Sequence, residues 1–124
     1  MPRYVVLFHE LPATDARGSH WDVMLERNGT LLTWATDQRP KRGVVLMAER
    51  LADHRVAYLD YEGPISQNRG TVIQVDAGDF DWVDFQADRI AVRVTSGGLI
   101  GALILHRRSE GQCWLLNVSP TATD

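Results

Sequence analysis

The sequence predicts an all-β fold, a compact single-domain β-barrel of short, mostly antiparallel strands with one short helical turn. Three observations predict it. Runs rich in β-branched and aromatic residues alternate between apolar and polar positions with a period of two. Turn signals, among them Asn28-Gly29, Gly97-Gly98 and Ser109-Glu110-Gly111, separate these runs at short intervals. So many short strands leave many open edges, which closure into a barrel removes.

The elements follow in order. Residues 3–9 form a first strand, in which the apolar run Tyr4-Val5-Val6-Leu7-Phe8 ends at His9. Residues 11–19, with Pro12, Asp15 and Gly18, form a polar loop. Residues 20–27 form the second strand, and Asn28-Gly29 turns it into a third, residues 30–36, because both turn residues tolerate positive φ. Residues 37–43 make a basic loop around Pro40, residues 44–48 a further strand, and residues 49–53 the helical turn. Residues 56–61 are expected to be extended, with Gly63-Pro64 turning the chain. Residues 70–75 form a strand, 76–78 a turn, and 81–86 alternate aromatics with acids. Residues 89–95 place Ile90, Val92 and Val94 on one face; hairpins at Gly97-Gly98 and Ser109-Glu110-Gly111 lead into residues 99–107 and 112–118. The domain is expected to span residues 1–118, with 119–124 a frayed tail of small polar residues. There is no linker, internal repeat or low-complexity segment.

At 124 residues with 44% hydrophobic and 23% charged composition, the chain suits one globular domain with a real core. The net charge of −3 argues against a global field that draws in nucleic acid. No apolar run reaches membrane-spanning length, and the N-terminus lacks the tripartite signal-peptide pattern. A single cysteine, Cys113, cannot form an internal disulfide and suits a cytoplasmic protein, with a packing role for the thiol. The basic residues are all arginine save Lys41, a planar fork suited to phosphate or carboxylate, although genome composition produces the same bias. Asp76, Asp79, Asp81, Asp84 and Asp88 lack ligand spacing and are expected in a solvated loop.

The segment Ser19-His20-Trp21-Asp22-Val23-Met24-Leu25-Glu26 carries the chemistry. Read as a strand, Trp21, Val23 and Leu25 face a core, and His20, Asp22, Met24 and Glu26 share the opposite face. An imidazole and a carboxylate two residues apart on one face reach a single small ion, and such N/O sets suit Mn, Zn or Fe. The same spacing also fits an exposed strand-face pair, with His9 capping a strand end. His54 and Tyr58 share a side whether their segment is helical or extended, and suit proton donation and phosphoryl contact; a half-buried aromatic and a loop histidine fit equally. Glu26 suits either a support for a ligand imidazole or a cross-strand pair with an arginine. The loop Arg39-Pro40-Lys41-Arg42 suits a nucleic-acid backbone or plain solvation, and His106, without partners at ligand spacing, suits the surface.

His9, His20-Trp21-Asp22, Leu25-Glu26, Trp34-Ala35, the block Asp53-His54-Arg55-Val56-Ala57-Tyr58-Leu59-Asp60-Tyr61-Glu62-Gly63, Gly70-Thr71-Val72 and Trp114-Leu115-Leu116 together resemble the 3'-phosphoesterase domain of bacterial DNA ligase D. The resemblance covers most of the chain in order. It implies a compact β-barrel that binds Mn²⁺ and trims 3' ends of nucleic acid, removing a 3'-terminal ribonucleoside and then the 3'-phosphate during DNA repair. Residue by residue it implies His9, His20 and Asp22 as metal ligands and His54 and Tyr58 as the phosphate-contacting and catalytic pair. The chain departs from the family pattern at Met24, where the family carries a phosphate-contacting arginine that a thioether does not replace. The interval between His9 and His20 is longer, Ala52 stands where the family often has glutamate, and a Gly-rich loop is shortened to Ser66-Gln67-Asn68-Arg69-Gly70-Thr71. The resemblance extends to this domain alone, and no attached polymerase or ligase domain is expected. Arg17 and Arg69 are the candidates to supply the missing cation at the phosphate.

The leading expectation is thus a stand-alone, Mn²⁺-dependent monomer acting on nucleic-acid 3' ends beside other end-repair proteins. The alternatives are a catalytically impaired relative that binds metal, nucleic-acid ends or a repair partner, and a metal-dependent barrel with a small-molecule substrate.

Overall fold

The computed structural model describes residues 1–108 and 111–120. Nine strands follow one another: β1 (Arg3–Glu10), β2 (His20–Arg27), β3 (Thr30–Thr36), β4 (Val45–Arg55), β5 (Gly63–Pro64), β6 (Thr71–Gln86), β7 (Arg89–Val94), β8 (Gly101–Arg107) and β9 (Cys113–Ser119). A single 3-10 turn, Val56–Leu59, stands between β4 and β5. The strands pair antiparallel in the order β1-β2-β3-β4-β9-β8-β7-β6-β5, and β1 also pairs with β6, so the sheet closes nearly into a ring. The all-β barrel expected from the period-two runs is the fold. Asn28 and Gly29 both hold positive φ, 53° and 80°, as the tight β2–β3 hairpin requires.

Alternation along each strand divides the apolar residues into two cores. The barrel interior holds Tyr4, Val6, Val23, Leu25, Trp34, Phe80, Leu103 and Leu116 among others, with Trp34 and Trp114 meeting edge to face at 5.6 Å. A second, smaller core lies on the outer face of β1, β2 and β3, where Val5, Leu7, Met24 and Leu31 are covered by Leu59 and Val72. The segment that covers them is pinned by three contacts, one to β1 and two to β6. Arg3 pairs with Asp60 at 2.8 Å, the Gln74 side chain donates to the Leu59 carbonyl, and Glu62 accepts the Gln74 backbone N–H.

Four local expectations differ from the structure. Residues 49–53 continue β4 rather than forming a helical turn, because Glu49, Arg50 and Leu51 pair with β3, and Glu49 also with β9, which outweighs helix propensity. Residues 56–61 are not extended. The β3–β4 ladder ends at the Thr30–Arg55 pair, and the chain turns tightly over Val56–Leu59 to bury Leu59. Gly63-Pro64 pairs with Val72 and Thr71 as a short edge strand. Residues 76–78 lie within the continuous strand β6, not in a turn. Gly78 is there because a Cβ would sit 2.1 Å from the Ser96 carbonyl oxygen, where the β7–β8 connection crosses the strand.

The acidic residues 76–84 therefore belong to a strand, not a solvated loop. A bulge in the β1–β6 pairing lets Asp76 accept from the buried Tyr4 hydroxyl at 3.0 Å and from the backbone of Ala77 and Gly98. Cys113 is half-exposed on β9, while its neighbour Trp114 takes the interior position. His106 is exposed on β8, as expected. Ser119 closes β9 and so belongs to the domain rather than the tail; residues 109–110 and 121–124 lie outside the described residues.

Candidate metal centre and its cleft

The interior-facing parity of Val23 and Leu25 puts His20, Asp22 and Met24 on the outer face of β2. The β1–β2 register then does what the sequence alone does not: it sets His9 directly opposite His20, with ring centroids 5.0 Å apart. His9, His20 and Asp22 each offer one donor atom, all within 4.8 Å of one another. His20 Nε2 lies 3.2 Å from Asp22 Oδ1, and His9 Nδ1 lies 3.6 Å from Asp22 Oδ2.

The outer ring nitrogens settle the tautomers. His9 Nε2 is 2.7 Å from the Arg69 carbonyl, and His20 Nδ1 is 3.1 Å from the Gly18 carbonyl. A carbonyl only accepts, so each of these nitrogens carries the proton. In the neutral rings the inner nitrogens then present lone pairs toward a carboxylate, a repulsive arrangement that a proton or a cation relieves. Backbone anchoring of the outer nitrogen is also how ligand histidines are commonly oriented. Asp22 is 2% exposed, and its Oδ1 has no hydrogen-bond partner among the described residues. A buried carboxylate oxygen without a hydrogen bond calls for another cationic or polar partner. These donors fit a small divalent cation.

The electrostatics run the same way. Burial pushes the Asp22 carboxyl up, but His20 and His9 beside it more than offset this and hold it below the usual carboxylate range. The Asp22 carboxylate in turn raises the His20 imidazole against the effect of burial.

His54 and Tyr58 face this cluster from β4 and the 3-10 turn. In the β3–β4 pairing, Leu31 opposes His54 and Thr33 opposes Leu51, so the β4 side holds one residue more. That bulge flips the alternation and brings His54 to the same outer face as Leu51. His54 Nδ1 donates to the Ala52 carbonyl at 2.9 Å, which leaves Nε2 free, and its ring stands 5.7 Å from that of Tyr58. His9, His20, Asp22, His54 and Tyr58 line one open cavity of about 300 Å³. Leu7, Met24 and Val72 contribute apolar lining from the outer core.

Arg17 and Arg69 also line the cavity. The Arg17 guanidinium is engaged by Asp15 at 3.0 Å, and that of Arg69 by the Ser66 carbonyl and hydroxyl at 2.9 and 3.1 Å. Glu26 does not support either imidazole; it accepts the Arg3 backbone N–H at 3.0 Å, away from the cleft. The groups that orient the histidines are instead the carbonyls of Gly18, Ala52 and Arg69. Backbone carbonyls leave no trace in residue identity, so the sequence offered no signal for them. Ile65, which closes the cavity above the outer core, was likewise not singled out.

An antiparallel barrel whose interior is filled with side chains, and whose polar donors gather in a cleft on the outer wall, is a barrel that works on its surface rather than in a lumen. Residues 13–107 match the family model of the DNA Ligase D 3'-phosphoesterase domain, and the chain belongs to that family. His9 precedes the matched span and enters the cluster through its pairing with His20. The chain is 32% identical over 109 residues to the multifunctional non-homologous end joining protein LigD of Mycobacterium bovis, an alignment that covers 81% of this chain and 14% of that protein. The multifunctional non-homologous end joining DNA repair protein LigD of Mycobacterium tuberculosis strain CDC 1551 gives the same identity and coverage. The Pseudomonas aeruginosa LigD is 37% identical over 87 residues, covering 66% of this chain and 10% of the relative. The chain thus spans about a seventh or less of the relatives it matches. No helix among the described residues is long and apolar enough to cross a membrane.

Proposed function

We propose that this chain is a divalent-metal-dependent phosphoesterase that acts on 3' ends of nucleic acid during DNA repair, removing a 3'-ribonucleoside or a 3'-phosphate, with Mn²⁺ as the metal. One observation carries the reading: two backbone-anchored imidazoles and a buried carboxylate converge within 4.8 Å, in the same cleft as His54 and Tyr58. His9, His20 and Asp22 would hold the ion. When bound, it supplies Lewis acidity toward a phosphoryl oxygen and acidifies a water. His54, whose Nδ1–H donates to Ala52, carries a second proton on Nε2 only as the imidazolium; in that form Nε2–H would contact the phosphate or give its proton to the leaving oxygen, leaving the neutral ring. The Tyr58 hydroxyl holds a second phosphoryl oxygen. Leu7, Met24 and Val72 restrict water on the apolar side of the cleft.

Family membership and the relatives' role in end joining support the nucleic-acid substrate. The test is turnover of a 3'-phosphorylated primer–template in Mn²⁺, with His20→Ala as control. Release of phosphate by the wild-type chain and its loss in His20→Ala is the expected result. Absence of Mn²⁺ binding by calorimetry would end this reading.

A second reading has its own observation. Met24 is 1% exposed and packed among Val5, Leu7, Leu31, Leu59 and Val72, so the position where the family has an arginine is apolar. On that reading the chain is an impaired relative that retains metal and end binding, and turnover appears only when the charge is restored.

A further inference from the structure

Beside the metal cleft lies a second recess of about 280 Å³, formed by Arg55, Tyr58, Tyr61, Ser66 and Arg69 with Ala57, Pro64 and Ile65. It shares Tyr58, Ile65 and Arg69 with the cleft, so the two are continuous across a common wall. Its lining holds two guanidinium groups, three hydroxyls and no carboxylate, in a chain of net charge −3. The nearby acids are engaged elsewhere: Asp53 with Arg50, Asp60 with Arg3, and Glu62 with the Gln74 backbone. The Arg55 side chain makes no hydrogen bond or ion pair among the described residues, its backbone alone closing the β3–β4 ladder, and the Arg69 guanidinium is held only by neutral oxygens of Ser66. Both forks therefore keep their full charge for an anion.

The recess is also built with fixed geometry. The Tyr61 hydroxyl donates to the Pro64 carbonyl, and its ring stacks edge to face on Tyr58 at 5.8 Å. Gly63, at φ 134°, leaves room for that ring, since a Cβ there would lie 3.1 Å from the Tyr61 hydroxyl. On the other side, Gly70 at φ 85° is pressed so close to β1 that a Cβ would sit 2.0 Å from the Glu10 carbonyl oxygen, which fixes the 66–70 loop. His54, Tyr58 and Tyr61 follow one another at 5.7 and 5.8 Å, a line of rings that leads from the cleft into the recess.

We propose that this recess seats the nucleic-acid strand one nucleotide inward from its 3' end, with Arg55 and Arg69 on a backbone phosphate and Tyr61 against the adjoining sugar or base. Guanidinium forks suit phosphate, and aromatic faces accept any base, so the recess would grip a strand without reading sequence. The orientation of the strand rests on the 3'-end reading given above; the anion binding does not. The recess compensates for the apolar surface at Met24 by moving the binding charge from under the terminal phosphate to its neighbour.

The test is fluorescence anisotropy of a 5'-labelled single strand made wholly of deoxynucleotides and ending in a 3'-hydroxyl, which carries neither a 3'-ribonucleoside nor a 3'-phosphate to remove, across a salt series. Arg55→Gln and Arg69→Gln are each expected to weaken binding about tenfold and to flatten the dependence of log K on log salt by about 1. Arg55→Lys, which keeps the charge and loses the fork, should retain the slope and lose part of the affinity. Circular dichroism verifies that the variants fold. Unchanged affinity and slope in both glutamine variants overturns the proposal. Displacement of the strand by inorganic phosphate at an equal concentration of phosphate groups also overturns it, in favour of a free-phosphate site. The two readings separate cleanly: loss of turnover everywhere with Arg55-dependent binding intact removes only the enzyme, and turnover with Arg55-independent binding removes only the strand seat.

Discussion

Met24→Arg is the most informative single substitution. The Met24 side chain is 1% exposed, lies on the face of Asp22 two residues away, and lines the metal cleft from below. An arginine stem can follow the path of the thioether through the outer core, and its guanidinium emerges into the cavity rather than into Val5 or Leu31. The gain is one charge-assisted contact on the phosphoryl group, worth on the order of 10²–10³ in rate when aimed at the charge that develops in the transition state. The cost is overpacking and partial burial of a cation, about 1–3 kcal/mol. For a domain of this size that lowers Tm by roughly 3–15 °C, so the variant should still fold. The assay is single-turnover release of phosphate from a 3'-phosphorylated primer in saturating Mn²⁺, run on the wild type, Met24→Arg, Met24→Lys and Met24→Leu. The expected order is Arg above Lys, with Leu no better than wild type, since a point charge replaces only part of a planar fork. Equal rates for Arg and Leu, in folded proteins that bind Mn²⁺ equally, would refute the idea that this position leaves the phosphate one cation short.

Three further predictions follow from the same geometry. Asp22→Asn keeps the shape of the carboxylate but removes its charge from between His9 and His20, and Mn²⁺ affinity by calorimetry should fall by at least about 10–100-fold. Gly70→Ala forces the 66–70 loop off β1, with a Cβ 2.0 Å from the Glu10 carbonyl oxygen, and displaces the Arg69 carbonyl that orients His9. It should weaken Mn²⁺ binding as well as stability, whereas Gly29→Ala, whose Cβ meets nothing within 4 Å, should cost stability alone. Tyr4→Phe removes the hydroxyl that donates to Asp76 at 3.0 Å and accepts from Leu99 N–H at 3.3 Å, which should cost about 2–3 kcal/mol in urea unfolding. Burial raises the Tyr4 phenol above its ordinary range, so the folded state holds this proton more tightly than the unfolded chain. The stability it contributes is present below about pH 10 and is lost as pH rises beyond that, and Tyr4→Phe should lack this alkaline decline.

Much of the barrel was legible because period-two alternation is local. Trp21, Val23 and Leu25 announced an interior face, Asn28-Gly29 a hairpin, and Ile90, Val92 and Val94 a second buried edge of the interior. The misreadings occurred where long-range pairing overrides local preference. Residues 49–53 favour a helix in isolation, but Glu49, Arg50 and Leu51 pair with β3, and Glu49 also with β9, so the segment stays in the sheet. Asp76, Ala77 and Gly78 resemble a turn, yet the glycine serves a chain crossing and the aspartate receives Tyr4.

For the candidate site, the chain itself determined that His20 and Asp22 share a face, since two residues along a strand always do. Only the tertiary structure decided that His9 completes the set, because strand register depends on the whole sheet and not on either strand alone. The bulge in β4 decided that His54 faces the same cleft; one extra residue reverses every later side chain, and its placement follows from pairing with β3. The carbonyls of Gly18, Ala52 and Arg69 decided which nitrogen of each imidazole is free. Every residue has a carbonyl, so its position becomes informative only once the chain has folded around it.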